Sequence, residues 1–143
     1  MSAAIFVCIV PVLAMLQAGR AGFFAPLLAT ISRPDGTPNE TAYFWLTGVL
    51  SAFLDNAPTY LIFFELAGGD AAELMARLAP TLAAISTGAV YLGALTYIGN
   101  APNLMVAAIA GERGVKMPSF FAYTLWSCAV LLPVLAAMRL ILD

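Results

Sequence analysis

Apolar and polar positions alternate along this chain in long blocks, at a scale suited to membrane helices. Four apolar blocks cover residues 3–16, 41–66, 78–110 and 119–142, separated by short polar punctuation. The first has Pro11 in its middle and is short for a span of about 20 residues. A further apolar patch, 21–31, follows Arg20 and either continues a membrane path or lies at the interface. Residues 33–40 carry two prolines and a Pro-Asp-Gly turn signature, the clearest loop in the chain. The block that follows opens on Tyr43, Phe44 and Trp45, a pattern expected of an interfacial aromatic anchor. It stops at Gly68, Gly69 and Asp70, and a short amphipathic piece runs on to Arg77. Residues 112–118 form another polar turn, and block 119–142 is long enough to span once. The pattern predicts an all-α membrane protein, 1–143, in a single membrane domain.

Two of these blocks are interrupted by the same tripeptide. Asn56-Ala57-Pro58 lies inside block 41–66 and Asn100-Ala101-Pro102 inside block 78–110, the latter within an interruption at 99–103. A proline inside a helix removes an amide donor and clashes with the carbonyl four residues earlier, here Leu54 and Ile98. It also disfavours helix at the residue before it. Hydrocarbon accepts broken backbone only where protein or a water-filled cavity surrounds it. Paired broken helices point to the binding site of a secondary transporter.

Composition agrees with a membrane setting. The chain is 62% hydrophobic and 10% charged, with a mean hydropathy of +0.93, against roughly 25% charged in soluble domains. Net charge is −2 with no basic run, so nucleic acid is excluded as a partner and lipid is expected. Histidine is absent, which removes histidine-based metal sites and a Ser-His-Asp triad. Cys8 and Cys128 sit in apolar spans and read as small buried hydrophobes. No organic cofactor is implied. A signal peptide is a rival reading of the first block, but its charged n-region is missing.

The Asp55 block has two possible paths. One broken helix of about 24 residues would cross a bilayer; a re-entrant hairpin would turn at the Asp55-Asn56-Ala57-Pro58 tip. A full crossing sets Arg33, Arg113 and Lys116 against Arg77 and Arg139. A hairpin sets Arg33 and Arg77 against Arg113 and Lys116, a slightly weaker positive-inside asymmetry.

The candidate chemistry lies in the two breaks. Asp55 has no Lys or Arg near it in sequence. A lone carboxylate in a membrane is expensive unless it is protonated or paired with a cation, so Asp55 is a candidate proton carrier or Na⁺ ligand. Carbonyls freed by Pro58 and Pro102, with the amide oxygens of Asn56, Asn100 and Asn103, are hard donors suited to Na⁺. Thr59 and Ser51, one turn to either side of Asp55, can add hydroxyls. Helices restarting after each proline aim N–H groups at the break and favour an anion there. The competing structural reading makes Asn a helix–helix contact and Gly88, Gly93 and Gly99 sites of close packing. Tyr91 and Tyr97 then pack rather than touch substrate, and Glu65 sits near an interface.

Residues 50–59, Leu-Ser-Ala-Phe-Leu-Asp-Asn-Ala-Pro-Thr, and 95–104, Leu-Thr-Tyr-Ile-Gly-Asn-Ala-Pro-Asn-Leu, resemble the ion transporter superfamily. Its members include citrate and dicarboxylate carriers, arsenite pumps and sodium–proton antiporters. The chain is most similar to its citrate transporter and sodium:proton antiporter group, over residues 43–142. In that superfamily each inverted repeat has a re-entrant hairpin with a Ser-Asn-Thr-like tip and a helix broken at a Gly-x-x-Pro-Asn-like loop. The resemblance implies a hairpin over 43–68, a broken helix over 79–110 and a last transmembrane helix over 119–142. It implies ion and substrate binding by Asp55, Asn56, Thr59, Gly99, Asn100 and Asn103. Aspartate at the tip, where the family has serine, favours a cation- or proton-coupled site over dicarboxylate recognition.

Family transporters carry two such repeats, and this chain carries one. It is expected to be the C-terminal half of a bacterial inner-membrane, multi-pass transporter working by alternating access. The expected cargo is a small anionic substrate such as citrate, or Na⁺ against H⁺. The expected partners are a missing N-terminal repeat or partner chain, with a homodimer in the full-length form. A non-transporting membrane subunit is the alternative. An intramembrane hydrolase would need a second acid beside Asp55, and no other acid lies mid-span.

Overall fold

The computed structural model describes Pro11 and residues 25–142. The first apolar block and Cys8 therefore lie outside the described residues, Pro11 apart. The described chain is helical throughout: α1 Ala25–Ile31, α2 Glu40–Phe53, α3 Asn56–Leu66, α4 Ala71–Ala76, α5 Ala79–Gly93, α6 Ala101–Glu112 and α7 Phe120–Leu142. Among the described residues the only extended pairing is an isolated bridge between Ser32 and Pro38.

Local sequence explains the starts of these helices. Asn39 caps α2, its side chain accepting from the Ala42 amide at 3.2 Å. Asp70 caps α4 by accepting from the Ala72 and Glu73 amides at 2.9 and 3.3 Å. Each cap satisfies an amide that a helix end leaves orphaned. The 33–40 loop is tied by an Arg33–Glu40 ion pair at 2.9 Å. Within it the Asp35 carboxylate accepts from the Thr37 amide at 2.9 Å and its hydroxyl at 2.6 Å. Those bonds from Thr37 hold the Asp35 carboxyl below its ordinary value of 3.8.

Block 41–66 does not continue as one helix. Tyr43 and Phe63 pack edge to face with ring centroids 6.2 Å apart, whereas 20 residues of straight helix would separate them by about 30 Å. α2 and α3 are therefore antiparallel arms that turn at Leu54 and Asp55. At the open end of this pair lies a 440 Å³ cavity whose lining includes Asp35 and Thr37 from the loop and Glu73 and Arg77 beyond α3. Tyr43 and Phe44, expected at an interface, are instead buried, at 4% and 1% exposure. The start of α2 is wedged against the end of α3 and against α5.

α2 and α5 run parallel and close. A Cβ on Gly48 would strike the Leu92 side chain, and one on Gly88 would strike the Phe44 carbonyl. Small residues of this kind let helix backbones approach. Phe44, Ile85, Leu92 and Phe63 fill the core around the contact, with Leu135 of α7 against it. Thr96, just past the end of α5, bonds to Ala52 near the end of α2, 44 positions earlier. The pairs Phe44/Gly88 and Gly48/Leu92 keep the same offset, so Gly93, the last residue of α5, stands level with Val49, one turn before the end of α2.

α7 differs. Over Phe120–Met138 it is long and apolar enough to cross a membrane by length and composition, and no other described helix is. Phe121, Leu125 and Trp126 point outward, each more than 70% exposed. α6 contains no buried residue.

Candidate functional site

The first break is two residues long. Leu54 is extended at φ −112°, ψ 155°, and Asp55 caps α3 at φ −56°, ψ 146°. The Asp55 carboxylate accepts from the Asn56 amide at 2.8 Å and is half-buried. One carboxylate oxygen is thus engaged by backbone, and the other has further acceptor capacity. Asn56 lines a 410 Å³ groove between α3 and α5 with Ala57, Tyr60, Ser86, Ala89 and Val90. Thr59, one turn into α3, is fully buried.

The second break begins earlier and is longer than the 99–103 interruption read from the sequence. α5 stops at Gly93 and α6 starts at Ala101, leaving residues 94–100 non-helical. Pro58 and Pro102 lie in the first turns of α3 and α6, where a missing amide N–H costs nothing. They start new helices and do not sit within the breaks. The Leu54 and Ile98 carbonyls belong to non-helical backbone already.

Thr96 organises the second break. Its hydroxyl donates to the Ala52 carbonyl at 2.5 Å and accepts from the Gly99 amide at 3.0 Å. Its own carbonyl accepts from Asn103 Nδ2 at 3.1 Å. One side chain thereby supplies a partner to the open C-terminus of α2 and pins the loop that leads into α6. The Ser51 hydroxyl donates to the Ala89 carbonyl at 2.6 Å, tying α2 to α5 one turn below. Gly99 is enclosed: a Cβ there would stand 2.5 Å from the Gly93 carbonyl and 2.7 Å from that of Ser51. Asn100 is extended at φ −150°, ψ 123° and half-buried, and its side chain makes no capping bond to α6.

The structure thus brings the end of α2, just before Asp55, against Thr96 and Gly99, just before Asn100. Among the described residues no hydrogen bond joins Asp55 or Asn56 directly to Asn100 or Asn103. No group of three Asp, Glu, Cys or His collects among them either. The oxygen-bearing groups near the two breaks are one carboxylate, side-chain amides and backbone carbonyls, all hard donors. Thr96 escaped the sequence reading. Its signal was local: a threonine three residues before a glycine, in the spacing by which a hydroxyl accepts from a turn amide. Tyr97 does not reach toward the break's open side. It stacks on Tyr123 at 4.1 Å and donates to the Pro118 carbonyl at 3.1 Å, while Tyr123 donates to the Ala94 carbonyl at 3.2 Å.

Comparison with known families supplies the deciding observation: residues 1–142 match the family described as "Putative citrate transport". The chain belongs to that citrate transport family. No curated protein and no solved structure matches it. Membership makes the chain a transport protein, in agreement with its long apolar blocks.

Proposed function

We propose that the chain is part of an ion-coupled secondary carrier for a small carboxylate such as citrate. The observation that carries this reading is the packing of the two breaks against each other. α2 and α5 pack parallel with the offset that separates Ala52 from Thr96, 44 residues. The Thr96 hydroxyl reaches the Ala52 carbonyl, and a Cβ on Gly99 would meet the Ser51 carbonyl, so the end of α2 just before the first break packs against the second. The arms support a re-entrant hairpin: α2 has 14 residues and α3 has 11, about 21 and 17 Å, short of the ~30 Å hydrocarbon core.

The two breaks divide the work. Asp55 occupies the N-terminus of α3 with its own negative charge and so favours the coupling cation, Na⁺ or H⁺, helped by Asn56. The N-terminus of α6 has no side-chain cap, and its amide end favours the substrate carboxylate, with Asn100 and Asn103 beside it. Alternating access needs a second wall, supplied by an N-terminal repeat or a partner chain.

The test is uptake of labelled citrate into proteoliposomes under an imposed Na⁺ or pH gradient. Gradient-driven uptake is expected, with Asp55→Asn abolishing it or removing its ion dependence, and Asn100→Ala raising the citrate KM. Na⁺/H⁺ exchange without citrate uptake would replace this reading with antiport. No flux of either kind, with the partner repeat present, would leave a packing subunit.

A further inference from the structure

Thr47 and Thr59 are both fully buried, and the hydroxyl of each lacks a hydrogen-bond partner. Threonine in a helix ordinarily escapes this by donating to the carbonyl four residues back. Thr30, Thr87 and Thr124 do so here, at 3.0, 2.6 and 2.9 Å. Thr47 and Thr59 do not. The antiparallel register explains what they share. Tyr43 of α2 meets Phe63 of α3, and one turn toward the tip on each arm leads to Thr47 and to Thr59, on the same faces. The two unpartnered hydroxyls therefore face the same seam, walled by aromatic and aliphatic core side chains.

We propose that Thr47 and Thr59 hold one buried water molecule between the arms, a turn below the Asp55 tip. Water offers two donors and two acceptors to two groups that can each donate and accept. A cation is a poorer occupant. The helix carbonyls around the seam are engaged in their own ladders, and the nearest acid, Asp55, lies a full turn away at the end of α3. The bridge pins the hairpin from inside and fixes the arm on which Asp55 is carried. This inference does not depend on what is transported.

A double-mutant cycle on thermal stability of the full chain in detergent tests it, using Thr47→Val, Thr59→Val and the pair. Valine keeps the shape and removes the hydroxyl. Each single substitution should lower Tm by about 3 °C, the scale of one unpaired polar group. The double should recover most of that loss, because a dry seam leaves nothing unpaired. Thr47→Ser, which keeps the hydroxyl, should resemble the wild type and remain coupled to Thr59. Additive losses, or neutral single variants, would show that each hydroxyl turns back to its own helix and would overturn the shared water. A Thr47→Val loss present in Na⁺ buffer and absent in choline buffer would place a cation there instead, also overturning it.

Discussion

The same tripeptide opens two helices in this protein, and the breaks that precede them are built differently. At the first, two residues separate α2 from α3, and the acid of the break caps the next helix itself. At the second, seven residues intervene, and side-chain bonds tie them down: Thr96 is held at both ends, Gly99 through its amide, and Asn103 of the next helix reaches back through its side-chain nitrogen. The first break keeps a carboxylate oxygen and the Asn56 side chain uncommitted. The second ties the end of α2 to the loop that leads into α6 and leaves the Asn100 side chain without a capping bond. Identical sequence signals can follow two differently bonded breaks, and only the bonding partners tell them apart.

The largest effect expected from disturbing the second break comes at Gly99. Gly99→Ala drives a methyl into the carbonyls of Gly93 and Ser51, backbone that cannot rotate away. A loss of about 3 kcal/mol or more is expected, read as failure to purify a folded chain or a large drop in Tm. Gly111→Ala, on an open face of α6, is the matched control and should be neutral or slightly stabilising.

Thr96→Val comes next. It strips partners from the buried Ala52 carbonyl and Gly99 amide, costing about 2–4 kcal/mol by thermal melting. Thr96→Ser should recover most of it. If Thr96→Val is neutral, the second break is not held by the bonds described here.

Asp55→Asn should behave in the opposite way. Asparagine caps a helix about as well as aspartate, so stability should move by less than about 1 kcal/mol while transport loses its ion dependence. A variant as unstable as Thr96→Val would make Asp55 as structural as Thr96 and erase the contrast between the breaks.

The smallest effect concerns the loop far from both breaks. Because Thr37 holds the Asp35 carboxyl below 3.8, the ionised form favours the folded loop. The contribution is complete above that ordinary value and fades as pH falls through the lowered one. The Thr37 amide resonance should therefore report a midpoint below 3.8, and Thr37→Ala should return it upward while leaving transport untouched.

Much of this was readable from residue order. Long apolar blocks, the loop at 33–40, the turn at Gly68 and Gly69 and the two interruptions follow from composition and turn chemistry. The helix starts at Asn39 and Asp70 carry ordinary capping residues. What sequence could not supply was partnership across the chain. Thr96 is an unremarkable threonine until Ala52 is beside it. Tyr43 and Phe44 have an anchor's composition and a core residue's location, because the returning arm covers them. The prolines announced each break but stand just after it, since proline suits the first turn of a helix better than its interior.

The glycine notches of α2 and α5 bear on how far the connecting chain can vary. Gly48 receives Leu92 and Gly88 receives Phe44, and these contacts fix the stagger of the two helices whatever links them. Added or deleted residues in the exposed turn between α3 and α4 would change the numerical spacing of Asn56 and Asn100 while leaving the two breaks packed against each other. A single inserted residue between Phe44 and Gly48, or between Gly88 and Leu92, would rotate one notch by about 100° away from its knob and part the two breaks. Length variation in relatives should therefore gather in the turn at Gly68 and Gly69 and be absent from the helical stretches that carry the notches.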